Sequence, residues 1–418
     1  MRLSSAVANQ ASLVTLAVLL GGCSSSSPGV PATASEGMRQ GAPEHATISV
    51  FRQPSVKEKV LHTFGAGSDG VYPESTLIAV SGTFYGTTLQ GGAHNLGSVF
   101  KISKSGAESV LHSFAGGSDG AYPKEGLTDV NGTLYGTTDS GGGTGCISGN
   151  GCGTVFSITT SGKEHVLYRF KGGTDGESPV AALTNVHGTL YGTTAGGGGV
   201  GCGSTGGCGT VYKITTSGRE RVLYSFKGGT DGAQPYAGLT DVNGTLYGAT
   251  FAGGASSAGA IFEITTSGAE TVLYSFKGGS ADGEGPYASL TDVNGSLYGT
   301  TQYGGSNLDG TAFKVTTSGT EKILHSFLGG ATDGAYPLGV LAYINGALYG
   351  TTYYGGSGGE GLIFKMTTSG RDSVLYSFMG GSDGAYPYAG LTKVKLTFYG
   401  TTELGGSHGR GTVFSLPL

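Results

Sequence analysis

Of this chain's 418 residues, the five cysteines imply chemistry most directly. Cys146 and Cys152 stand six positions apart, as do Cys202 and Cys208, which leaves Cys23 on its own near the N-terminus. In an exported chain two matched pairs are expected to be local disulfides. A zinc site built from all four is the alternative, with a ligand spacing wider than that of ordinary zinc hairpins. Carboxylates come next. Asp69, Asp119, Asp175, Asp231, Asp282, Asp333 and Asp383 recur in the frame Gly-Gly-x-Asp-Gly-x-x-Pro, with small variations. An Asx-turn explains them. One calcium per loop, or a shared ring of carboxylates, is the alternative, but calcium takes six or more oxygens and each loop offers one dependable carboxylate. His62, His112 and His325 occupy the slot that Tyr168, Tyr224, Tyr274 and Tyr376 fill elsewhere, which marks a flat, half-buried packing residue. No nucleophile elbow, metal-ligand doublet or carboxylate pair is peculiar to one unit, so no catalytic residue, metal or cofactor is expected.

Binding chemistry is expected where the repeats differ. After each Gly-Thr-Leu-Tyr-Gly-Thr-Thr copy the chain carries Leu89, Asp139, Ala195, Phe251, Gln302-Tyr303, Tyr353-Tyr354 and Glu403-Leu404. Variation inside a repetitive frame marks positions the fold does not dictate, either free loop surface or a binding face on a rigid scaffold. We expect a ligand-binding patch of four exposed rings, Phe251, Tyr303, Tyr353 and Tyr354, joined by Asp139, Gln302 and Glu403. Its partner would be a glycan, a peptide or an envelope protein. The alternative is an exported hydrolase or lyase with its site in a central channel, using carboxylates such as Asp139 and Glu403. Only 12% of residues are charged and the net charge is −5, without the basic stripe of a nucleic-acid surface. A monomer is expected.

These positions must be held by the repeat itself. Tyr85, Tyr135, Tyr191, Tyr247, Tyr298, Tyr349 and Tyr399 lie 50 to 56 residues apart, the kind of period that marks arrays and propellers. Each unit offers four short apolar runs, represented by Tyr236–Val242 (A), Thr245–Thr250 (B), Ala260–Ile264 (C) and Arg221–Phe226 (D, from the preceding stretch). A joins B through Asn-Gly at Asn131, Asn243, Asn294 and Asn345, a strong hairpin signal because a type I′ turn needs positive φ twice. C joins D through Ser-Gly. Tight turns force antiparallel neighbours, so each unit is a four-stranded meander. Apolar residues on both parities, as at Val155, Phe156 and Ile158, suit a blade packed on both faces. The expectation is an all-β, seven-bladed β-propeller in which the N-terminal D strand completes the last blade. The 84 glycines fall at turns and after strands, not in a low-complexity tract. The A-B and C-D turns share one side, and the long B-C and D-A loops share the other.

The series G-T-L-Y-G-T-T, G-G, G-T-V-F-K-I, T-S-G and V-L-Y-S-F resembles the Gloeo/Verruco tandem repeat of exported, variously anchored bacterial proteins, over nearly all of residues 60–416. The resemblance implies export, anchoring and repetition, and no activity. Ser81 and His187 replace the turn Asn, and Lys395-Leu396 replaces Asn-Gly in the last hairpin. At the N-terminus, Arg2, an apolar run over 11–20 and Leu20-Gly-Gly-Cys23 read as an export signal. The last four residues resemble a bacterial lipobox, which makes Cys23 the expected lipidation site. An ordinary signal peptide with an incidental cysteine is the alternative. Residues 1–22 are thus expected to be a lipoprotein signal peptide, 23–46 a Ser/Pro/Gly-rich tether, and 47–418 the repeat domain. The protein would be anchored to the cell envelope, most simply the outer membrane, through lipid alone.

Overall fold

The computed structural model describes residues 57–65, 68–143, 146, 150–199, 201–202 and 206–418. The expected signal peptide, Cys23 and the tether lie outside these residues. Seven antiparallel sheets follow one another, each with the order A-B-C-D. Their A strands are Ile78–Val80, Thr128–Val130, Thr184–Val186, Thr240–Val242, Thr291–Val293, Ala342–Ile344 and Thr392–Val394, which define blades 1 to 7. Blade 4 is typical, with B at Thr245–Thr250, C at Ala260–Thr265 and D at Glu270–Ser275. Blade 7 takes its D strand from the other end of the chain. Lys59–Thr63 pairs with Thr412–Pro417, with Lys59 opposite Ser415 and Thr63 opposite Thr412. The fold is the expected seven-bladed propeller, closed by its N-terminal strand.

The A-B turns show why the motif is written as it is. Asn131, Asn243, Asn294 and Asn345 have φ of 50–54° and the glycines after them 78–87°, as a type I′ turn requires. Ser81 and His187 adopt the same conformation ahead of their glycines. In blade 7 only Lys395 turns to positive φ, and Leu396 stands 69% exposed. The glycine inside each B strand has a different reason. A Cβ on Gly248 would lie 2.5 Å from Cζ of Phe262 on strand C and 2.9 Å from Leu239. The bare backbone lets the aromatic ring lie across the strand.

Blades join through aromatic rings. The phenylalanine ending each D strand, at Phe64, Phe114, Phe170, Phe226, Phe276, Phe327 and Phe378, meets a C-strand ring of the next blade edge to face. The partners are Phe100, Phe156, Tyr212, Phe262, Phe313, Phe364 and Phe414, with centroids 5.1–5.3 Å apart. Such pairs add about 0.5–1.5 kcal/mol beyond their buried area. This seam explains why both parities of a C strand are apolar: Val155, Phe156 and Ile158 are all fully buried, facing the two neighbouring blades in turn.

The A strands are innermost. Threonine hydroxyls bind carbonyls of the next blade around the ring, Thr128 to Leu183, Thr184 to Leu239, Thr240 to Leu290, Thr291 to Leu341 and Thr392 to Leu77. The segments just before the A strands of all seven blades line one cavity of about 300 Å³, which therefore lies on the ring axis.

The seven loop aspartates tie each D strand to its outgoing loop. Asp175 accepts the Tyr168 phenol at 2.6 Å and the Lys171 N–H at 2.8 Å. His62, His112 and His325 give the same bond to Asp69, Asp119 and Asp333 at 3.0–3.2 Å. Cys146 is bonded to Cys152 and Cys202 to Cys208, with Cα separations of 5.5 and 5.2 Å. Each bridge closes its own B-C loop, so the four thiols do not form a common metal site.

Candidate binding site at the channel mouth

The D-A loop carries two variable side chains, one on either side of its proline. The residue before proline, at Tyr72, Tyr122, Ser178, Gln234, Gly285, Tyr336 and Tyr386, has φ of 53–64° in every blade. Positive φ is uncommon in residues other than glycine, and a following proline restricts the backbone further. Two backbone bonds hold it. In blade 6 the Tyr336 N–H donates to the Asp309 carbonyl of the preceding B-C loop at 2.8 Å, and its carbonyl accepts the Tyr353 N–H at 3.0 Å. That second bond repeats around the ring, joining Leu89 to Tyr72, Asp139 to Tyr122, Phe251 to Gln234 and Glu403 to Tyr386. The variable position after each B strand is thus bonded to the variable position before each proline. The residue after proline, Glu74, Lys124, Val180, Tyr236, Tyr287, Leu338 or Tyr388, forms an inner ring, each member lining one of the cavities at the axis or its mouth.

Above the axial channel lies a cavity of about 430 Å³. Gln302, Tyr303, Tyr353, Tyr354 and Glu403 line it, as does Leu89. It is completed by Glu74, Lys124, Tyr336, Leu338 and Tyr388. Five of the seven expected side chains therefore meet in one place. The other two do not join them. Asp139 faces a neighbouring cavity of about 310 Å³ with Ser178, Val180 and Tyr236, which shares only Lys124 with the first. Phe251 packs half-buried against Tyr236 and Tyr287, at 5.5 and 6.2 Å. Of the four rings expected to be exposed, Tyr303 and Tyr354 are, at 38% and 41%. Tyr353 is half-buried, stacked on Tyr386 at 5.0 Å with its phenol hydrogen-bonded to Glu403. Tyr336 stands between the exposed pair, edge to face with Tyr303 at 5.4 Å and with Tyr354 at 5.7 Å.

Charge at the mouth is concentrated and buried. Glu74 is only 6% exposed. Burial, then the neighbouring Glu403, pushes its carboxyl up to about 8, against the pull of Lys124. Its Oε2 has no hydrogen-bond partner among the described residues. Burial also raises Glu403, opposed by the Tyr353 phenol and Lys124, and raises Asp139, opposed by the Ser178 hydroxyl and Lys124. Within the channel, burial pushes Glu125 up to about 7. Lys124 is held above the ordinary lysine range because Tyr287, Glu74 and Asp139 outweigh its burial. Tyr287 also hydrogen-bonds Tyr388, and both line the axial channel.

Sequence reasoning missed Glu74, Lys124, Tyr336 and Tyr388. For Glu74, Lys124 and Tyr388 the signal was present: the position after each proline reads Glu, Lys, Val, Tyr, Tyr, Leu, Tyr, as variable as the position after each B strand. Three other clusters combine a histidine with two carboxylates, His62-Asp69-Glu108, His112-Asp119-Glu164 and His325-Asp333-Asp372. They lie at the outer seams, where tyrosine and the same carboxylate arrangement serve in other blades, as at Tyr168, Asp175 and Glu220. There the histidine makes the bond that tyrosine makes elsewhere.

The family model described as the Gloeobacter/Verrucomicrobia repeat matches residues 33–205 and 201–414. No curated protein matches the chain. Among solved structures, a puromycin-hydrolysing peptidase of Mycobacterium tuberculosis is 10% identical with a TM-score of 0.48, over 79% of this chain and 50% of that one. A gluconolactonase of Xanthomonas campestris is 12% identical with a TM-score of 0.41, over 87% and 89%. Dipeptidyl peptidase 4 of Porphyromonas gingivalis is 10% identical with a TM-score of 0.40, over 77% and 47%. The chain spans about half the length of the two peptidases, and none of these likenesses bears on its activity.

Proposed function

The chain belongs to the Gloeobacter/Verrucomicrobia repeat family, and we propose that it is an exported, lipid-anchored scaffold that binds a glycan or a peptide segment, free or on an envelope protein, at the mouth of its propeller. One observation carries the proposal: variable side chains from separate blades converge on a single cavity of about 430 Å³. That volume falls in the range of roughly 300–1,000 Å³ typical of small-molecule sites. Exposed Tyr303 and Tyr354 supply stacking faces, while Gln302 and Glu403 supply polar contacts. Export and lipidation at Cys23 rest on the Leu-Gly-Gly-Cys motif, and two disulfides suit an oxidising compartment.

Glycan and peptide arrays followed by calorimetry test this reading. The double substitution Tyr303→Ala, Tyr354→Ala should weaken binding at least about tenfold, roughly 1–2 kcal/mol per ring, with little change in melting temperature because both rings are exposed. Unchanged affinity in that variant would remove the site. For the anchor, a palmitate analogue should label the wild type and not Cys23→Ser. A hydrolase or lyase is the second reading, favoured by Glu74 and Glu403 lining one cavity, where burial and Glu403 raise Glu74 toward the acid's role while the Tyr353 phenol and Lys124 oppose the rise at Glu403 and suit it to the base's. Turnover lost in Glu403→Gln with binding retained would establish it.

A further inference from the structure

Resting on the binding reading above, we infer that the mouth cavity recognises a protonated amine on its ligand, whether carried by an amino sugar or by a lysine side chain. The argument starts from an unmet bond. Glu74 is 6% exposed, lines the cavity, and leaves Oε2 buried without a partner among the described residues. A buried carboxyl oxygen in that state is destabilising until something donates to it. No neighbour among the described residues donates to it: the Tyr353 phenol is committed to Glu403, and Lys124 hydrogen-bonds Tyr287 while acting on Glu74 and Asp139 through its charge.

The balance of charge selects the donor. Glu403 and Glu125 both raise Glu74, and Glu74, Glu403, Glu125 and Asp139 all feel the charge of Lys124. Four carboxyls therefore surround one ammonium. A hydroxyl would satisfy Oε2 but would not offset the charge of Glu74 and Glu403 when both are ionised. A phosphate or carboxylate would meet like charge. A protonated amine supplies both an N–H donor and a countercharge, and the faces of Tyr303, Tyr336 and Tyr354 attract a cation further. A quaternary ammonium has no N–H and would leave Oε2 unpaired.

Calorimetry on the full chain with four probes tests the inference: a glucosamine tetrasaccharide, its fully N-acetylated counterpart, a lysine-containing tetrapeptide, and the same peptide acetylated at Nε. At least one amine form should bind ten or more times tighter than its acetylated partner, and which one does so identifies the source. Glu74→Gln should abolish that preference. Glu74→Leu, which places at this position the residue blade 6 carries at Leu338, should do the same with an unchanged melting temperature. Equal binding of the amine and its acetylated form in both pairs, or a preference that survives both substitutions, overturns the inference and leaves the binding reading standing. No binding by any probe overturns the inference. If the array screen for the parent reading is also blank, that reading falls with it.

Discussion

Phe64 is the residue on which closure of the ring can be measured. It is fully buried, meets Phe100 edge to face at 5.1 Å, and joins Leu77, Phe84, Ile102, Tyr399 and Val413 in one cluster spanning the first and last blades. Its N–H bonds the Gly411 carbonyl at 3.0 Å. Truncating a buried phenylalanine to alanine costs about 3–5 kcal/mol. With an unfolding entropy of about 2.1 cal/mol/K per residue over about 360 residues, that is about 0.8 kcal/mol/K, so Phe64→Ala should lower the melting temperature by about 4–7 °C. The control is Phe226→Ala at the seam between blades 3 and 4, where the ring is 1% exposed and meets Phe262 at the same 5.1 Å. In a closed ring the two seams are equivalent and the two variants melt together. In an open array the terminal strand frays first, and Phe64→Ala would cost little. Scanning calorimetry of both variants decides, and a fall below about 1 °C for Phe64→Ala beside a full fall for Phe226→Ala would refute closure. Because Glu74 and Glu403 come from opposite sides of this seam, Phe64→Ala should also weaken whatever the mouth binds.

Stability should depend on pH through the outer seams. Burial, then a neighbouring aspartate, pushes Glu58 up to about 8 and Glu220, Glu270 and Glu321 up to about 7, from 4.5. A carboxyl whose folded pKa is raised stabilises fully below about pH 4.5 and loses that contribution as pH rises through 7 to 8, so the melting temperature should be higher at pH 5 than at pH 8. A flat or rising profile over that window would contradict the seam assignment. Tyr212 carries a buried hydroxyl with no partner among the described residues, where the C strands of the other six blades carry phenylalanine. Tyr212→Phe should therefore raise stability by about 1–3 kcal/mol in chemical denaturation. Reducing Cys146–Cys152 and Cys202–Cys208 should lower the melting temperature by about 3 °C per bridge, since closing so short a loop contributes about 2 kcal/mol in the chain-entropy account. A reduced protein that melts with the oxidised one would place the bridges outside the cooperative unit.

The sequence alone determined the blade. Asn-Gly at the A-B joint demands two residues of positive φ, Ser-Gly returns C to D, and tight turns on both sides allow only an antiparallel meander. It determined the number of blades and the strand left over at each end, because repetition writes the same local physics seven times. It also marked Gln302, Tyr303, Tyr353, Tyr354 and Glu403, since the frame leaves those positions free.

Which strand is innermost, and which variable positions meet, were decided by the tertiary structure. The threonine bonds between blades place the A strands on the axis, and so bring the residue after every proline to the mouth. Phe251 makes the same backbone bond as Tyr353, yet it packs on Tyr236 and Tyr287 because those two rings occupy its side of the inner ring. Asp139 is drawn to Ser178 and the far side of Lys124. Glu74 and Glu403 stand near opposite ends of the chain, and nothing local relates them. Only closure of the seventh blade by Lys59–Thr63 sets the two carboxyls in one cavity, because their separation is fixed by the ring and not by the chain between them.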